Sequence, residues 1–470
     1  MKKTFVVILI IGTLLRFYSQ FIIPTFNVDE ISLGNNIKYS TFKELLFPLN
    51  YGQTAPPLYL LLQKFIVNVL PFHFWISIKI LSFISSIAGL YLFYCFIKKQ
   101  KHDIVFVLLL SVFAFNPFVI NNSLTLKQYT IDLTLIVLLL NYYTVSSFKK
   151  HIALFFLFWC LFSNVGLFSC AGYLLYLFLF ETKSFSFKSI FSFISRNILI
   201  LIAPLPYVFY FFWFMQQDGA LELKKFMDLY WQDFFIPINE NIGKYLMVTF
   251  HAMWIYMLNA FEIWGAFLFL IICSFLFFVQ KKTIVFRSEI MLLLCILVVH
   301  LLLNVLKIYP FSDRLYLYIL PLLLLILGSN IIEILKYFCL EKLKVLSISI
   351  LTTVTIFLYV LYFPNNDNCV LELNRIINKN HISTIYCTQK AADCINNMNK
   401  FIDFEFESKV KILQLDTNLN NSNYLISRVG KKIKRGITSP PEPEIADLLA
   451  KNRLRIWKQL NGYNIYQIMY

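Results

Sequence analysis

The stretch SEIMLLLCILVVHLLLNVL, residues 288–306, contains one charged side chain, Glu289, and is otherwise almost entirely apolar. A helix needs about 20 such residues to cross the hydrocarbon core of a bilayer. Because lipid offers no hydrogen-bond partners to the backbone, a run of this length and composition must be helical there. The stretch therefore predicts a transmembrane helix.

Similar apolar runs recur along the chain. We predict about eleven transmembrane helices, near 4–24, 75–97, 104–120, 130–147, 152–164, 166–181, 196–215, 254–280, 288–306, 315–335 and 345–363. The composition agrees, because 59% of the 470 residues are hydrophobic and only 14% are charged, against about 25% charged residues in soluble proteins. The sequence thus predicts an α-helical polytopic membrane protein.

The formal net charge of +16 is distributed unevenly. Basic residues cluster in alternate connections, at Lys2/Lys3, Lys98/Lys99/Lys101, Lys149/Lys150, Lys183/Lys188/Arg196, Lys281/Lys282/Arg287 and Lys336/Lys342/Lys344. Short connections rich in Lys and Arg remain in the cytoplasm. We therefore predict a plasma (inner) membrane protein with a cytoplasmic N-terminus. The basic surplus reflects topology, and no nucleic-acid partner is expected.

The composition changes after residue 363, where Asn, Lys and Asp become frequent. Strand-like runs at 382–387, 409–415, 424–429 and 463–469 alternate with helical patterns at 370–378, 391–402 and 443–460. We predict a transmembrane domain, 1–363, followed by a small α/β domain, 364–470. An odd number of spans places this second domain outside the cytoplasm. Its sequence contains no catalytic or nucleotide-binding motif that we recognise.

Two adjacent carboxylates, Asp29 and Glu30, follow the outer end of the first predicted helix. Their mutual repulsion favours one of them keeping its proton, and such a group suits general-base catalysis near neutral pH. The simpler interpretation is that both side chains only meet water where the helix leaves the membrane.

Two cations, Lys127 and Arg314, lie at outward junctions between loops and helices. A guanidinium can bind a phosphate through two hydrogen bonds, although either side chain could simply extend to the membrane interface. Asp132 would be costly within the bilayer and is therefore a functional candidate. Tyr129 is more typical of an interfacial aromatic belt than of a ligand contact.

Four segments carry a resemblance to the GT-C fold glycosyltransferases that use polyprenyl-phosphate sugars, in particular the protein O-mannosyltransferase and lipid A aminoarabinose transferase type. The segments are Leu14-Leu15-Arg16 followed by Asp29-Glu30, Gln53-Thr54-Ala55-Pro56-Pro57-Leu58-Tyr59 in the first outer loop (about 25–74), Asn116-Pro117 with Lys127-Gln128-Tyr129, and Tyr309-Pro310-Phe311 with Arg314. One position departs from the family, because Thr125 stands where a Glu is often found.

The resemblance implies an inverting transfer of a sugar from a polyprenyl-phosphate donor to the hydroxyl of a lipid, glycan or protein acceptor at the outer face of the membrane. Asp29 would act as the base, and Glu30 would orient the acceptor or share its proton. Arg314 and Lys127 would bind the donor phosphate, and Gln53, Tyr129 and Asp132 would line the substrate cavity. The resemblance requires no cofactor, and a divalent metal is compatible with it but not indicated.

A polytopic transporter or lipid flippase is one alternative function, and a non-catalytic membrane assembly factor whose outer domain binds a partner is another. Transporters and flippases usually contain internal repeats and place polar groups near the middle of the membrane. The sequence shows no repeat, and its acidic residues cluster in the outward loops. A cavity open sideways to lipid with Asp29 at its rim would favour the transferase, whereas a cavity running through the membrane would favour transport.

Overall fold

The computed structural model describes residues 2–22, 28–99, 103–123, 125–181, 186–231, 235, 286–310, 317–337, 379, 384–387, 391, 409–412, 424–428, 431–432, 437–438, 445, 448, 454–460 and 463–468. Two predicted spans, 254–280 and 345–363, lie outside these residues, as does Arg314. The chain forms two compact units. The first comprises Met1–Ile22, Ser40–Pro71 and Ile76–Pro364, and the second comprises Ile23–Tyr39, Phe72–Trp75 and Asn365–Tyr470.

The helices in chain order are α1 (Lys2–Phe17, continued by a π-helical turn, Tyr18–Ile22), α2 (Val28–Tyr39), α3 (Pro57–Val69), α4 (Phe74–Ser77), α5 (Ile80–Lys98), α6 (Asp103–Phe115), α7 (Pro117–Ser123), α8 (Tyr129–Tyr142), α9 (Ser146–Phe162), α10 (Asn164–Glu181), α11 (Phe187–Arg196), α12 (Ile198–Ile202), α13 (Leu205–Met215), α14 (Ala220–Trp231), α15 (Arg287–Val305) and α16 (Leu320–Tyr337). Short 3-10 turns at Glu44–Leu46 and Asn50–Gly52 lie between α2 and α3.

Four helical segments among the described residues are long and apolar enough to cross a membrane: Lys3–Phe21, Phe74–Lys98, Ile198–Met215 and Arg287–Val305. They coincide with predicted spans. Shorter apolar helices at Val105–Phe115, Tyr129–Tyr142, Asn164–Phe180 and Leu317–Ser329 overlap four more of the predicted spans, 104–120, 130–147, 166–181 and 315–335. The chain is therefore a largely helical membrane protein, and the total of eleven spans stays a prediction.

Small residues bring the central helices of the first unit close together. Helix α5 packs against α8, and α10 packs against α15. A Cβ on Gly89 would lie 2.7 Å from the Thr134 side-chain oxygen, and one on Gly172 would lie 2.5 Å from the Cα of Ile296. Glycine at these two contacts permits the short distances between helix backbones that stabilise helix pairs in lipid.

A break between α6 and α7 follows from the dipeptide Asn116-Pro117. The Phe113 carbonyl would normally accept from the N–H of residue 117, but proline has none. The buried Arg16 supplies donors instead, with Nη2 3.3 Å from the Phe113 oxygen and Nη1 2.7 Å from the Ala114 oxygen. Asn116 then caps α7, because its Oδ1 accepts from the Val119 N–H at 3.1 Å.

In the second unit, the described strands are β1 (Thr384–Cys387), β2 (Lys409–Ile412), β3 (Tyr424–Arg428), β4 (Lys431–Lys432), β5 (Ile437–Thr438), β6 (Leu454–Leu460) and β7 (Tyr463–Ile468). Five of them form a sheet in the order β2-β1-β3-β7-β6. β1 is parallel to β2 and to β3, whereas β7 is antiparallel to both β3 and β6. Buried side chains on this sheet include Tyr386, Leu425 and Tyr466.

The four strands that the sequence predicts are confirmed as β1, β2, β3 and β7. The predicted helix at 443–460 is wrong over its last part, because Leu454–Leu460 is strand β6. Only Asn461-Gly462 separates β6 from β7, and Leu460 pairs with Tyr463. Asn-Gly between two strands is a strong signal for a tight hairpin, and it outweighs the helical spacing of the apolar residues.

Candidate functional site

The first and second loops that the sequence predicts to face outward are joined by a hydrogen bond between two predicted site residues. Lys127 Nζ donates to Gln53 Oε1 at 3.0 Å, although the residues are 74 apart in the sequence. Gln53 follows the 3-10 turn Asn50–Gly52 and is buried, whereas Lys127, just before α8, is half-buried. The amide oxygen orients the ammonium group of Lys127 between the two loops.

Asp132 lies in the first turn of α8 and is only 3% exposed. Both of its carboxylate oxygens accept hydrogen bonds: Oδ1 from Trp159 Nε1 at 3.0 Å and Oδ2 from Ser163 Oγ at 2.8 Å. Ser163 is the single residue between α9 and α10. Asp132 therefore fastens the start of α8 to the α9–α10 junction. Its predicted place in a substrate cavity stays a prediction.

Tyr309, in the segment after α15, lies close to the same group of polar residues. Burial raises the pKa of the Tyr309 hydroxyl well above its ordinary value, and the nearby Asp132, Tyr129 and Tyr207 act in the same direction. Tyr129, the first residue of α8, is itself buried. The Tyr207 hydroxyl donates to Asn164 Oδ1 at the start of α10. Residues from α8, α10, α13 and the segment after α15 thus form one polar cluster.

His300, in α15, belongs to this region and was not among the predicted site residues. Its Nε2 lies 3.2 Å from the Pro310 carbonyl oxygen, and its Nδ1 lies 2.7 Å from the Tyr318 hydroxyl. A carbonyl can only accept, so Nε2 carries a proton, and in a neutral imidazole Nδ1 accepts from Tyr318. The Phe168 ring stacks on the imidazole with centroids 4.8 Å apart.

Asn304, one turn after His300, completes the support of this segment. Its Nδ2 donates to the Tyr309 carbonyl oxygen at 3.1 Å. His300 and Asn304 therefore hold the two successive carbonyls of Tyr309 and Pro310, four to five residues before Arg314 in the sequence. The signal was present in the sequence, because a histidine inside an apolar span is a functional candidate by default.

Asp29 and Glu30 lie in the second unit, in the first turn of α2. The N–H groups at a helix start favour acidic side chains there, so both carboxylates suit the first turn of α2. Glu30 is buried, whereas Asp29 is half-buried. Their predicted catalytic roles stay predictions.

The described residues contain no group of three or more His, Cys, Asp or Glu side chains that could hold a metal ion. Among the predicted site residues, the structure brings together Gln53 and Lys127, and it places Tyr129 and Asp132 around Tyr309. Arg314 lies outside the part of the chain that the structure describes.

Comparisons with protein-family models and with curated proteins give no match. Among solved structures, the chain is similar to ArnT from Cupriavidus metallidurans bound to undecaprenyl phosphate, with a TM-score of 0.49, 8% identity, and coverage of 98% of this chain and 97% of that chain. The apo state of the same protein gives a TM-score of 0.39 at 9% identity, with the same coverage. ArnT is a GT-C aminoarabinose transferase.

Proposed function

We propose that this protein is an inverting glycosyltransferase of the plasma (inner) membrane. It would move a hexosyl or pentosyl group from a polyprenyl-phosphate donor to an acceptor hydroxyl at the outer face. The observation that carries the proposal is the hydrogen bond between Lys127 and Gln53. It holds a cation between two outward loops, where it could meet the phosphate of a lipid whose chain lies in the membrane.

The reaction is a single displacement at C1 of the sugar. The acceptor hydroxyl attacks C1 and gives its proton to Asp29, while Glu30 orients the acceptor. The bond between C1 and the phosphate oxygen breaks, and the lipid phosphate leaves with the electron pair. Lys127, together with Arg314, compensates the charge of the departing phosphate, an electrostatic contribution that is usually worth a few kcal/mol.

The polar cluster that includes Tyr129, Asp132 and Tyr309 would supply the substrate cavity. The buried Tyr129 and Asp132, together with Tyr309, bring hydroxyl and carboxylate groups within electrostatic range of one another in a largely apolar helical unit. Such a combination of apolar walls and a few convergent polar groups is typical of small-molecule sites. In the same proposal, the C-terminal domain lies outside the cytoplasm.

The first test uses a deletion strain, whose surface glycans are analysed by mass spectrometry before and after complementation. The parent gene should restore a lost sugar modification. Asp29→Asn should reduce the restored modification strongly, because loss of a general base typically costs about 10²–10⁴-fold in rate. Protein abundance in the membrane should not change. Full restoration by Asp29→Asn would contradict the assignment of the base and move that role to Glu30.

The second test concerns the phosphate. Lys127→Gln should weaken binding of undecaprenyl phosphate to the purified protein in nanodiscs, whereas Lys224→Gln, a change in α14, should not. Equal affinity for all three proteins would remove Lys127 from the phosphate site. If the deletion strain loses no glycan and the purified protein instead moves undecaprenyl phosphate across liposome membranes, the flippase alternative is correct.

A further inference from the structure

Helix α11, residues Phe187–Arg196, is a short helix with well-defined ends. None of its residues belongs to the predicted site. Ser186 caps its start, because Ser186 Oγ accepts from the Ser189 N–H at 3.2 Å and Ser189 Oγ accepts from the Ser186 N–H at 3.0 Å. Asn197 ends the helix with a non-helical backbone before α12 begins. The local sequence thus specifies α11 as a helix separate from the apolar segment Ile198–Met215.

Apolar and polar side chains lie on opposite faces of α11. At 100° per residue, one broad arc carries the apolar residues Phe187, Ile190, Phe191, Phe193 and Ile194. The opposite arc carries Lys188, Ser189, Ser192, Ser195 and Arg196. The helix contains two cations and no acidic residue.

Most of the apolar arc is not covered by protein. Phe193, at one edge of the arc, is buried and packs against Phe178 with ring centroids 5.3 Å apart. Phe187 is 87% exposed and Phe191 is 67% exposed, and Ile190 and Ile194 are exposed as well. One edge of the apolar face therefore attaches α11 to the first unit, and the remainder needs another apolar partner.

We infer that α11 lies in the plane of the membrane, with this apolar face among the acyl chains and its two cations beside anionic phospholipid headgroups. Amphipathic helices with basic polar faces bind membrane surfaces in this way. The exposed face is continuous in the chain with α12 and α13, whose exposed Leu199, Phe209 and Phe212 belong to an apolar segment long enough to cross the membrane. Lys188 and Arg196 complement the negative charge of the lipid.

The test places a diazirine amino acid at single positions of the full-length protein in liposomes that contain a neutral and an anionic phospholipid. After illumination, mass spectrometry identifies the adducts. Phe191 should give abundant phospholipid adducts, as should Phe212 in the apolar segment, whereas the adjacent Ser192 should give severalfold fewer. Equal yields at 191 and 192, or an absence of lipid adducts at 191, would overturn the inference.

The composition of the adducts tests the charge. At position 191, the anionic lipid should be enriched severalfold over its share of the liposome. In the double variant Lys188→Gln/Arg196→Gln, the enrichment should fall to the bulk ratio while the total adduct yield persists. A bulk ratio in the parent protein would overturn the assignment of anionic headgroups. Neither result depends on glycosyl transfer, so failure here leaves the proposed function untouched.

Discussion

At the scale of single residues, the imidazole of His300 helps to hold the Tyr309–Pro310 segment. It donates a hydrogen bond to the Pro310 carbonyl and accepts one from the Tyr318 hydroxyl. His300→Gln could keep both interactions, with its amide nitrogen donating to Pro310 and its amide oxygen accepting from Tyr318. His300→Phe keeps the ring but neither hydrogen bond, and each buried polar group left without a partner costs roughly 1–3 kcal/mol. We therefore expect His300→Phe to lower both thermal stability and turnover, and His300→Gln to restore most of each.

The measurement is the unfolding temperature of the purified variants beside glycan restoration in the deletion strain. Tyr318→Phe is the matched control, because it removes one hydroxyl from the same pair and should fall between the parent and His300→Phe. If His300→Phe matches the parent in both assays, the histidine only fills space in α15.

Part of this site was predictable from residue types alone. Lys127 and Gln53 stand out as polar residues in two loops that are predicted to face outward, but nothing in the sequence indicates that they meet, because their contact spans 74 residues. His300 is difficult to recognise as a site residue from the sequence, because it is a single polar residue within an otherwise apolar stretch. Asp132 drew attention as a charge inside a predicted span, and the structure adds partners that the sequence could not name, Trp159 and Ser163.

At the scale of secondary-structure elements, the break between α6 and α7 gives a test of Arg16. Arg16→Met should be strongly destabilising, because the Phe113 and Ala114 carbonyls lose the donors at 3.3 and 2.7 Å. Pro117→Ala returns an N–H that Phe113 could use within a continuous helix. We expect the cost of Arg16→Met to be smaller in the Pro117→Ala background, a coupling that a double-mutant cycle of unfolding free energies detects. Strictly additive costs would argue against this link.

Element boundaries show where sequence patterns succeed and fail. The short apolar runs at 152–164 and 166–181 are two helices, α9 and α10, because the backbone turns at Ser163 and α10 packs back on α9. The strand β6 was mistaken for a helix because tertiary pairing with β7 overrides the local pattern.

Strand β1 ends at Cys387, and the reactivity of its thiol shows whether the sheet is folded. Burial raises the pKa of Cys387 to about 12, whereas an unfolded cysteine titrates near about 8.5. The folded sheet therefore loses stability as the pH rises above the unfolded pKa, because only the unfolded thiol ionises. We expect Cys387 to resist iodoacetamide at pH 8 until denaturant is added, as peptide mass spectrometry would show. Rapid alkylation of the native protein would contradict its burial.

At the scale of the whole molecule, the charge pattern and the helix count fix the expected topology together. The basic clusters recur in every second connection, and short basic connections stay in the cytoplasm. The inference is sensitive to the number of helices between residues 146 and 181, since one helix in place of two would reverse every later segment. The described structure has two helices there, α9 and α10, and the odd total of membrane crossings stays a prediction.

The predicted topology can be tested at Tyr470. A reporter that fluoresces only in the cytoplasm should stay dark when it is fused after Tyr470, because an odd number of spans begins from a cytoplasmic N-terminus. The same reporter inserted between Lys183 and Ser184, in a basic connection, should fluoresce, and it controls for expression and folding of the fusion. A bright signal at both positions would make the number of spans between them even, and would move the C-terminal domain to the cytoplasm. Darkness at Lys183 with brightness at Tyr470 would instead reverse the whole orientation and remove Asp29 from the outer face.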